Sequence, residues 1–239
     1  MLMPDVTMID WMGDDLTVVN AARVSFAKES SYIRYETEEF DHEADTYVPK
    51  NHKILKDADV RLIHYLARNR HWTPFAHPQA TFHIRAPIFV ARQLGKHQVG
   101  MVWNEVSRRY VDDEPDFWLP RGSWRTRPEG SIKQGSGDGQ VPLQPRTWAI
   151  MQEAVDEYSR LIADGVAPEQ ARAVLPQGTY TEWWWTGSLY AFSRVCRLRM
   201  DPHAQQETRS IAASINFHMT ATFPVSWNAL LGDINDRDS

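Results

Sequence analysis

The sequence predicts an α/β fold: one domain in which helices surround a small, mostly antiparallel sheet. Three observations carry this. Residues 79–85 alternate Ala80, Phe82 and Ile84 with Thr81, His83 and Arg85, as a half-buried strand does. Residues 179–186 form a second strand-like run, dense in aromatic side chains. Residues 147–163 and 204–223 are long and amphipathic, the second with Ile211, Ile215 and Met219 on one stripe.

The remaining elements follow in order. Residues 6–12 read as a first strand. Residues 14–27 read as a helix, with Asp14 or Asp15 as N-cap and Leu16, Val19, Ala22 and Phe26 on one side. Residues 28–52 are polar, acidic and rich in Tyr without a helical period, and are expected to be an exposed loop or lid. Helical spacing returns over 53–70 through Leu55, Ala58, Leu62, Tyr65 and Leu66, and Pro74 ends that element at a turn. The apolar run Ala86-Pro-Ile-Phe-Val-Ala91 continues the strand at 79–85 into a helix. Residues 121–145 contain Gly122, Gly130, Gly135, Gly137 and Gly139 with three prolines, and are expected to be a mobile loop. A short helix over 168–174 begins at a proline, and residues 187–200 form another. No internal repeat is present, so residues 1–239 are taken as one domain.

At 239 residues the chain can bury a core without staples, and 42% hydrophobic with 24% charged residues is ordinary globular composition. A net charge of −5 offers no general attraction to nucleic acid or acidic membranes, so any anion site must be local. The one cysteine, Cys196, excludes an intramolecular disulfide and any Cys-rich metal site, and no metal is expected. Its neighbours Phe192, Val195 and Met200 suggest packing. No apolar leader or long apolar run is present, so a cytoplasmic location is expected. Of ten tryptophans, Trp183-Trp184-Trp185 cannot all face one side of a strand. They are expected to divide between a core and a subunit contact or cofactor wall.

The most informative stretch is Arg92-Gln-Leu-Gly-Lys-His-Gln-Val-Gly-Met-Val-Trp-Asn-Glu-Val-Ser-Arg-Arg-Tyr110, which leaves the buried run directly. With Pro87 opening a helix, Arg92 and Lys96 fall one turn apart on one face, with Gln93 and His97 spaced the same way beside them. Such a row of donors suits an anion such as a phosphate. The alternative is a solvated surface face.

Arg92-Gln93, Lys96-His97-Gln98 and Asn104-Glu105-x-Ser107-x-Arg109-Tyr110 resemble the signature of the flavin-dependent thymidylate synthases. Segments at 21–26, 71–77, 171–176 and 198–205 agree in order, so the resemblance runs from about Val6 to Leu230. It implies reductive methylation of dUMP at C5, with FAD as carrier and with methylenetetrahydrofolate and NADPH as co-substrates. It implies a homotetramer with flavin at subunit interfaces. By resemblance, dUMP is bound by Gln93, Lys96, Glu105, Val106, Ser107, Arg108, Arg109, Arg172 and Arg199, and Arg199 is the catalytic residue that polarises the base. FAD is bound by His71, Thr73, Lys96, His97, Gln98, Val99, Glu105 and His203. A second run, Ser188, Leu189, Tyr190 and Arg194, comes from another subunit. Ser107 invites a nucleophile reading, but no base is placed beside it and it is assigned to substrate binding.

Three departures from the family pattern stand out. Lys96 and Gln98 replace arginines, so both planar forks and one charge are lost. The spacer from His97 to Asn104 is one residue longer, which a loop or bulge at Gly100 would absorb. Ser188, Tyr190 and Arg194 differ from the usual side chains of the second flavin run. These departures keep two alternatives open: a flavin enzyme acting on C5 of another pyrimidine nucleotide, and a non-catalytic nucleotide-binding relative.

Overall fold

The computed structural model describes residues 5–42, 45–111, 113–130 and 135–232. Its architecture is α/β, with helices around small antiparallel sheets. It clusters into two compact units, each described in turn. One comprises the described residues up to Asp10 with Ala80–Gly187 and Arg194–His218. The other comprises Trp11–Gln79, Ser188–Ser193 and the residues from Met219 onward.

The first unit is built on a sheet whose strands are β1 (Asp5–Met12), β4 (Gln79–Pro87), β8 (Tyr180–Ser188) and β5 (Met101–Glu105), in that spatial order. The alternation expected at 79–85 is present. Ala80, Phe82, Ile84 and Ala86 are buried, while Thr81, His83 and Arg85 are half-buried. On that outer face Thr81 and Thr186 share a 3.0 Å hydroxyl contact, and His83 and Arg85 both reach Glu182 at 3.1 Å. The tryptophan triplet divides as expected, with Trp183 and Trp185 buried and Trp184 exposed. β5 was not expected from the sequence. It pairs antiparallel with β8, Trp103 opposite Trp185 and Glu105 opposite Trp183.

Around this sheet lie α3 (Ile88–Leu94), α4 (Pro145–Ala163), α5 (Pro168–Ala171), α6 (Leu189–Arg199) and α7 (Gln206–Thr222). α6 begins in the second unit and ends in the first. Cys196 is fully buried and its Sγ lies 3.5 Å from the Ala212 carbonyl, in line with a packing role. Burial raises its thiol well above the usual range, which makes it a poor nucleophile at neutral pH.

The segment 121–145 is not simply a loop. Ser123–Arg125 (β6) and Gln140–Pro142 (β7) form an antiparallel hairpin, though residues 131–134 lie outside the described set. Its glycines answer a need for close approach. A Cβ on Gly137 would lie 2.4 Å from the Arg127 carbonyl oxygen. Arg125 anchors the hairpin through 2.8 and 2.9 Å bonds to Glu207, which is only 7% exposed.

In the second unit, α1 (Asp15–Arg23) starts at Asp14, which closes a capping box with Thr17. Residues 24–26 continue it as a 3-10 turn. Asp15 is buried and accepts from the backbone N–H groups of Val225 (3.0 Å) and Ser226 (2.8 Å). It thereby caps α8 (Pro224–Leu231), an element the sequence reading missed. α2 (Asp57–Arg68) packs against α1 and α8. It starts later than the expected residue 53, because Lys53 and Ile54 belong to a strand. The fully buried Asp59 on α2 takes Arg23 at 2.5 Å and the Ser30 hydroxyl.

The expected exposed loop at 28–52 is also corrected. Ile33–Asp41 (β2) and Thr46–Ile54 (β3) pair antiparallel along nine residues each. Tyr35 stacks on His52 and Phe40 meets Tyr47 edge-on, each pair directly across the ladder. Both faces are largely exposed, so the apolar alternation that announces a strand never develops. Cross-strand pairs hold the hairpin instead.

Candidate active site

The expected helical row does not form beyond Leu94. α3 ends there, with the Gly95 N–H closing on the Ala91 carbonyl at 2.8 Å and the His97 N–H on the Leu94 carbonyl at 2.9 Å. Arg92 therefore lies on the helix, while Lys96 and His97 lie in the turn that follows. That turn reverses at Gly100, whose φ of +75° suits glycine. Beyond it the chain re-enters the sheet as β5.

The turn opens a cavity of about 480 Å³. Arg92, Lys96, His97 and Gln98 line one part of it, and Met101, Trp103 and Glu105 of β5 line another. Arg92 and Lys96 are exposed and have no ion-pair partner among the described residues. Val99 lies beside the turn, 72% exposed.

His97 and Arg199 meet directly. Arg199 Nε donates to His97 Nε2 at 3.0 Å, so that nitrogen is an acceptor and the proton of the neutral ring sits on Nδ1. Burial, then the charges of Arg199 and Arg194, push His97 down from 6.5 to about 4. The site thus holds a neutral imidazole against a guanidinium at physiological pH. Burial also draws Arg199 below the usual arginine value. A second Arg199 nitrogen reaches the Gln93 carbonyl at 3.5 Å.

Gln93, expected on the nucleotide, is engaged within the chain. Its amide nitrogen donates to Gln205 at 2.7 Å and its oxygen accepts from Thr208 at 2.9 Å. Its side chain therefore ties α3 to the start of α7. Glu105 accepts from the Thr181 hydroxyl at 2.7 Å and from the Trp103 indole N–H at 3.2 Å. Beyond β5, the Val106 N–H bonds the Glu182 carbonyl at 2.8 Å. The Ser107 hydroxyl accepts from Arg109 Nε at 3.0 Å, which leaves it a polar contact and gives no sign of an activated nucleophile. Arg108 pairs with Asp113 at 3.0 Å, and Arg109 lies over the Tyr110 ring at 5.0 Å. Arg172, expected on the nucleotide with Arg109, is exposed in the 3-10 turn Arg172–Val174 and bonds the Glu169 carbonyl at 3.2 Å. His203 pairs with Asp201 at 3.0 Å on the turn between α6 and α7.

The other expected flavin residues form a second group. His71 meets Tyr65 edge-on, and Thr73 is exposed and opens the 3-10 turn Thr73–Ala76, whose Pro74 and Phe75 are buried. Between them Trp72 lies 5.8 Å from Tyr190, which brings the 71–73 and 188–190 runs together. Ser188 accepts from the Ala191 N–H at 3.2 Å at the start of α6. Leu189 is fully buried and its N–H bonds the Pro78 carbonyl at 2.9 Å, so its side chain serves packing. Arg194 is exposed and belongs to the first unit.

Sequence reasoning passed over Trp103 as spacer. The available signal was its position two residues before Glu105 in an extended segment, which puts both on one face.

Among the described residues, no helix is long and apolar enough to cross a membrane. A family model described as thymidylate synthase complementing protein matches residues 7–225. A flavin-dependent thymidylate synthase of Treponema denticola is 35% identical over 213 residues, covering 87% of this chain and 71% of the relative. One from Thermus thermophilus is 34% identical over 228 residues, covering 94% and 74%. A crystal structure of the UMP/dUMP methylase PolB from Streptomyces cacaoi, bound with 5-Br dUMP, superposes with a TM-score of 0.73 at 30% identity, covering 95% of this chain and 94% of that one. The same enzyme bound with 5-Br UMP gives 0.73 at 29% identity, covering 95% and 92%. On a match that spans nearly the whole chain, this protein belongs to the family of flavin-dependent thymidylate synthases.

Proposed function

We propose that the chain methylates dUMP at C5 to give dTMP, with FAD as the bound flavin, methylenetetrahydrofolate as one-carbon donor and NADPH as reductant. The observation that carries this is the cavity at the α3–β5 turn, where two unpaired cations, a neutral His97 on Arg199, and a fixed Glu105 converge. This donor set fits an anionic, planar cofactor beside a nucleotide. Arg92 and Lys96 supply charge for phosphate, and His97, Gln98 and Val99 supply polar and apolar surface beside it. When bound, the flavin would supply hydride and one-carbon transfer, the chemistry that amino-acid side chains lack.

The chain's own residues bind and polarise. Arg199 is the cation suited to negative charge developing on the uracil O2 and N3. Its bond to His97 fixes its direction. Ser107 and Arg109 offer a hydroxyl and a guanidinium to the sugar-phosphate. The Gln93 amide positions the helix that carries Arg92, because both its polar atoms are spent on α7 and its neighbour Gln205. The second group, around His71, Thr73 and Tyr190, is assigned to a flavin held by another copy of the chain. Exposed Trp184 and Val102 support assembly into a homotetramer.

A second reading is favoured by the structural neighbour, a methylase of both UMP and dUMP. In it the chain acts on a ribonucleotide as well. The test is product formation from purified, FAD-loaded protein with methylenetetrahydrofolate and NADPH, using dUMP, UMP and dCMP in parallel. Conversion of dUMP to dTMP is expected. Conversion of UMP alongside dUMP would select the second reading, and conversion of neither would reject both.

A further inference from the structure

Trp103 stands in the cavity wall without a role in the chemistry so far described. Its ring stacks on Trp183 with centroids 4.4 Å apart and planes 16° from parallel, and meets Trp185 edge-on at 5.5 Å. Trp183 and Trp185 are both buried. The indole is thus clamped on a rigid base, because β5 and β8 also pair directly at this point. From that position its Nε1–H donates to Glu105 Oε2 at 3.2 Å, while Thr181 donates to Oε1 at 2.7 Å. Each carboxylate oxygen has its own donor, and both donors come from packed strands. A glutamate on an edge strand beside an open cavity would otherwise sample several rotamers.

We propose that Trp103 is a positioning residue that fixes the Glu105 carboxylate for the nucleotide. This rests on reading the cavity as the nucleotide and flavin site. Glu105 is then a preorganised acceptor for an N–H or O–H of the pyrimidine nucleotide, and its ordering is complete before substrate arrives. Trp103→Phe keeps an aromatic ring on Trp183 and removes only the indole donor. A hydrogen bond to a charged group is stronger than one between neutral groups when well formed. For one at 3.2 Å and partly exposed, a loss of about tenfold in dUMP affinity is the expected scale. The loss should appear in KM while kcat stays nearly unchanged, because the contact acts on binding and not on the reacting bond.

The test compares wild type, Trp103→Phe, Glu105→Gln and the double variant. Nucleotide affinity is read by perturbation of the flavin absorbance, and kcat and KM are read from turnover. The expected result is weaker dUMP binding in Trp103→Phe and no further effect of that change in the Glu105→Gln background. Equal affinity in wild type and Trp103→Phe overturns the proposal, as does a loss that persists undiminished without the carboxylate. A second readout needs no ligand. The Trp103 indole N–H signal, assigned by its disappearance in Trp103→Phe, should exchange faster with solvent in Glu105→Gln. If wild type binds no nucleotide, the proposed function fails; an indole exchange rate indifferent to Glu105 then separately rejects the Trp103 contact.

Discussion

Replacing Arg199 with alanine separates the chemistry of the site from its stability. The substitution removes one good hydrogen bond, from Nε to His97 at 3.0 Å, and one marginal contact to the Gln93 carbonyl at 3.5 Å. The first is worth about 1 kcal/mol to the fold and the second close to nothing. For a chain of this size a loss of that order lowers Tm by about 2–4 °C. Turnover should fall far more, by about 10²–10³-fold, the scale on which a preorganised charge at a transition state acts. The same change has a consequence visible without substrate. His97 is held down to about 4 by burial first, then by Arg199, then by Arg194. Removing Arg199 should raise its titration midpoint above 4, yet leave it below 6.5 because burial and Arg194 remain. NMR titration of the His97 ring, thermal denaturation and dTMP formation together read all three quantities. A variant with near-normal turnover, or with an unmoved His97 midpoint, would refute the assignment.

Other outcomes follow from the same contacts. In the wild type His97 is neutral when folded and takes a proton near 6.5 when unfolded, so its contribution is undiminished above pH 6.5 and is lost as pH falls towards about 4. That gap corresponds to at most roughly 3 kcal/mol, reduced to about 1–2 by partial solvent exposure. Denaturation at stepped pH should show this slope flatten in His97→Phe. Arg125→Met leaves the nearly buried Glu207 carboxylate without its cation and should cost about 3 kcal/mol by denaturation. Its effect should be matched by faster proteolysis between β6 and β7. Asp15→Ala removes the acceptor for two backbone N–H groups of α8 and should cost about 2 kcal/mol. Asp15→Asn, which keeps one acceptor oxygen, should cost less in the same measurement.

Much of this was legible in the sequence where one face of an element is buried and the other is wet. The alternation at β4, the split of Trp183, Trp184 and Trp185, and the Asp14 cap all come from local rules. Elements that depend on distant partners were not legible. The hairpin of β2 and β3 has no buried face, so its pairs Tyr35–His52 and Phe40–Tyr47 show only once the chain has turned back. The glycines near 137 signal close packing against Arg127, and composition alone suggested motion. α8 depends on Asp15, some 210 residues earlier. At the site, Arg92, Lys96, His97 and Glu105 line one cavity. The helix stop at Gly95 rearranged how they face it. The Gln93 amide, expected on the nucleotide, is spent on Gln205 and Thr208, a contact that no spacing rule within one segment can show.

In the function proposed above, the cavity at the α3–β5 turn holds a flavin beside a uracil nucleotide. Titrating FAD-loaded protein with dUMP while recording the flavin absorbance tests this most directly. A saturable change in the flavin band with dUMP, lost in a Lys96→Ala and Arg92→Ala double variant, is the expected result. Protein that takes up no FAD, or a flavin band that saturating dUMP leaves unmoved, would contradict it.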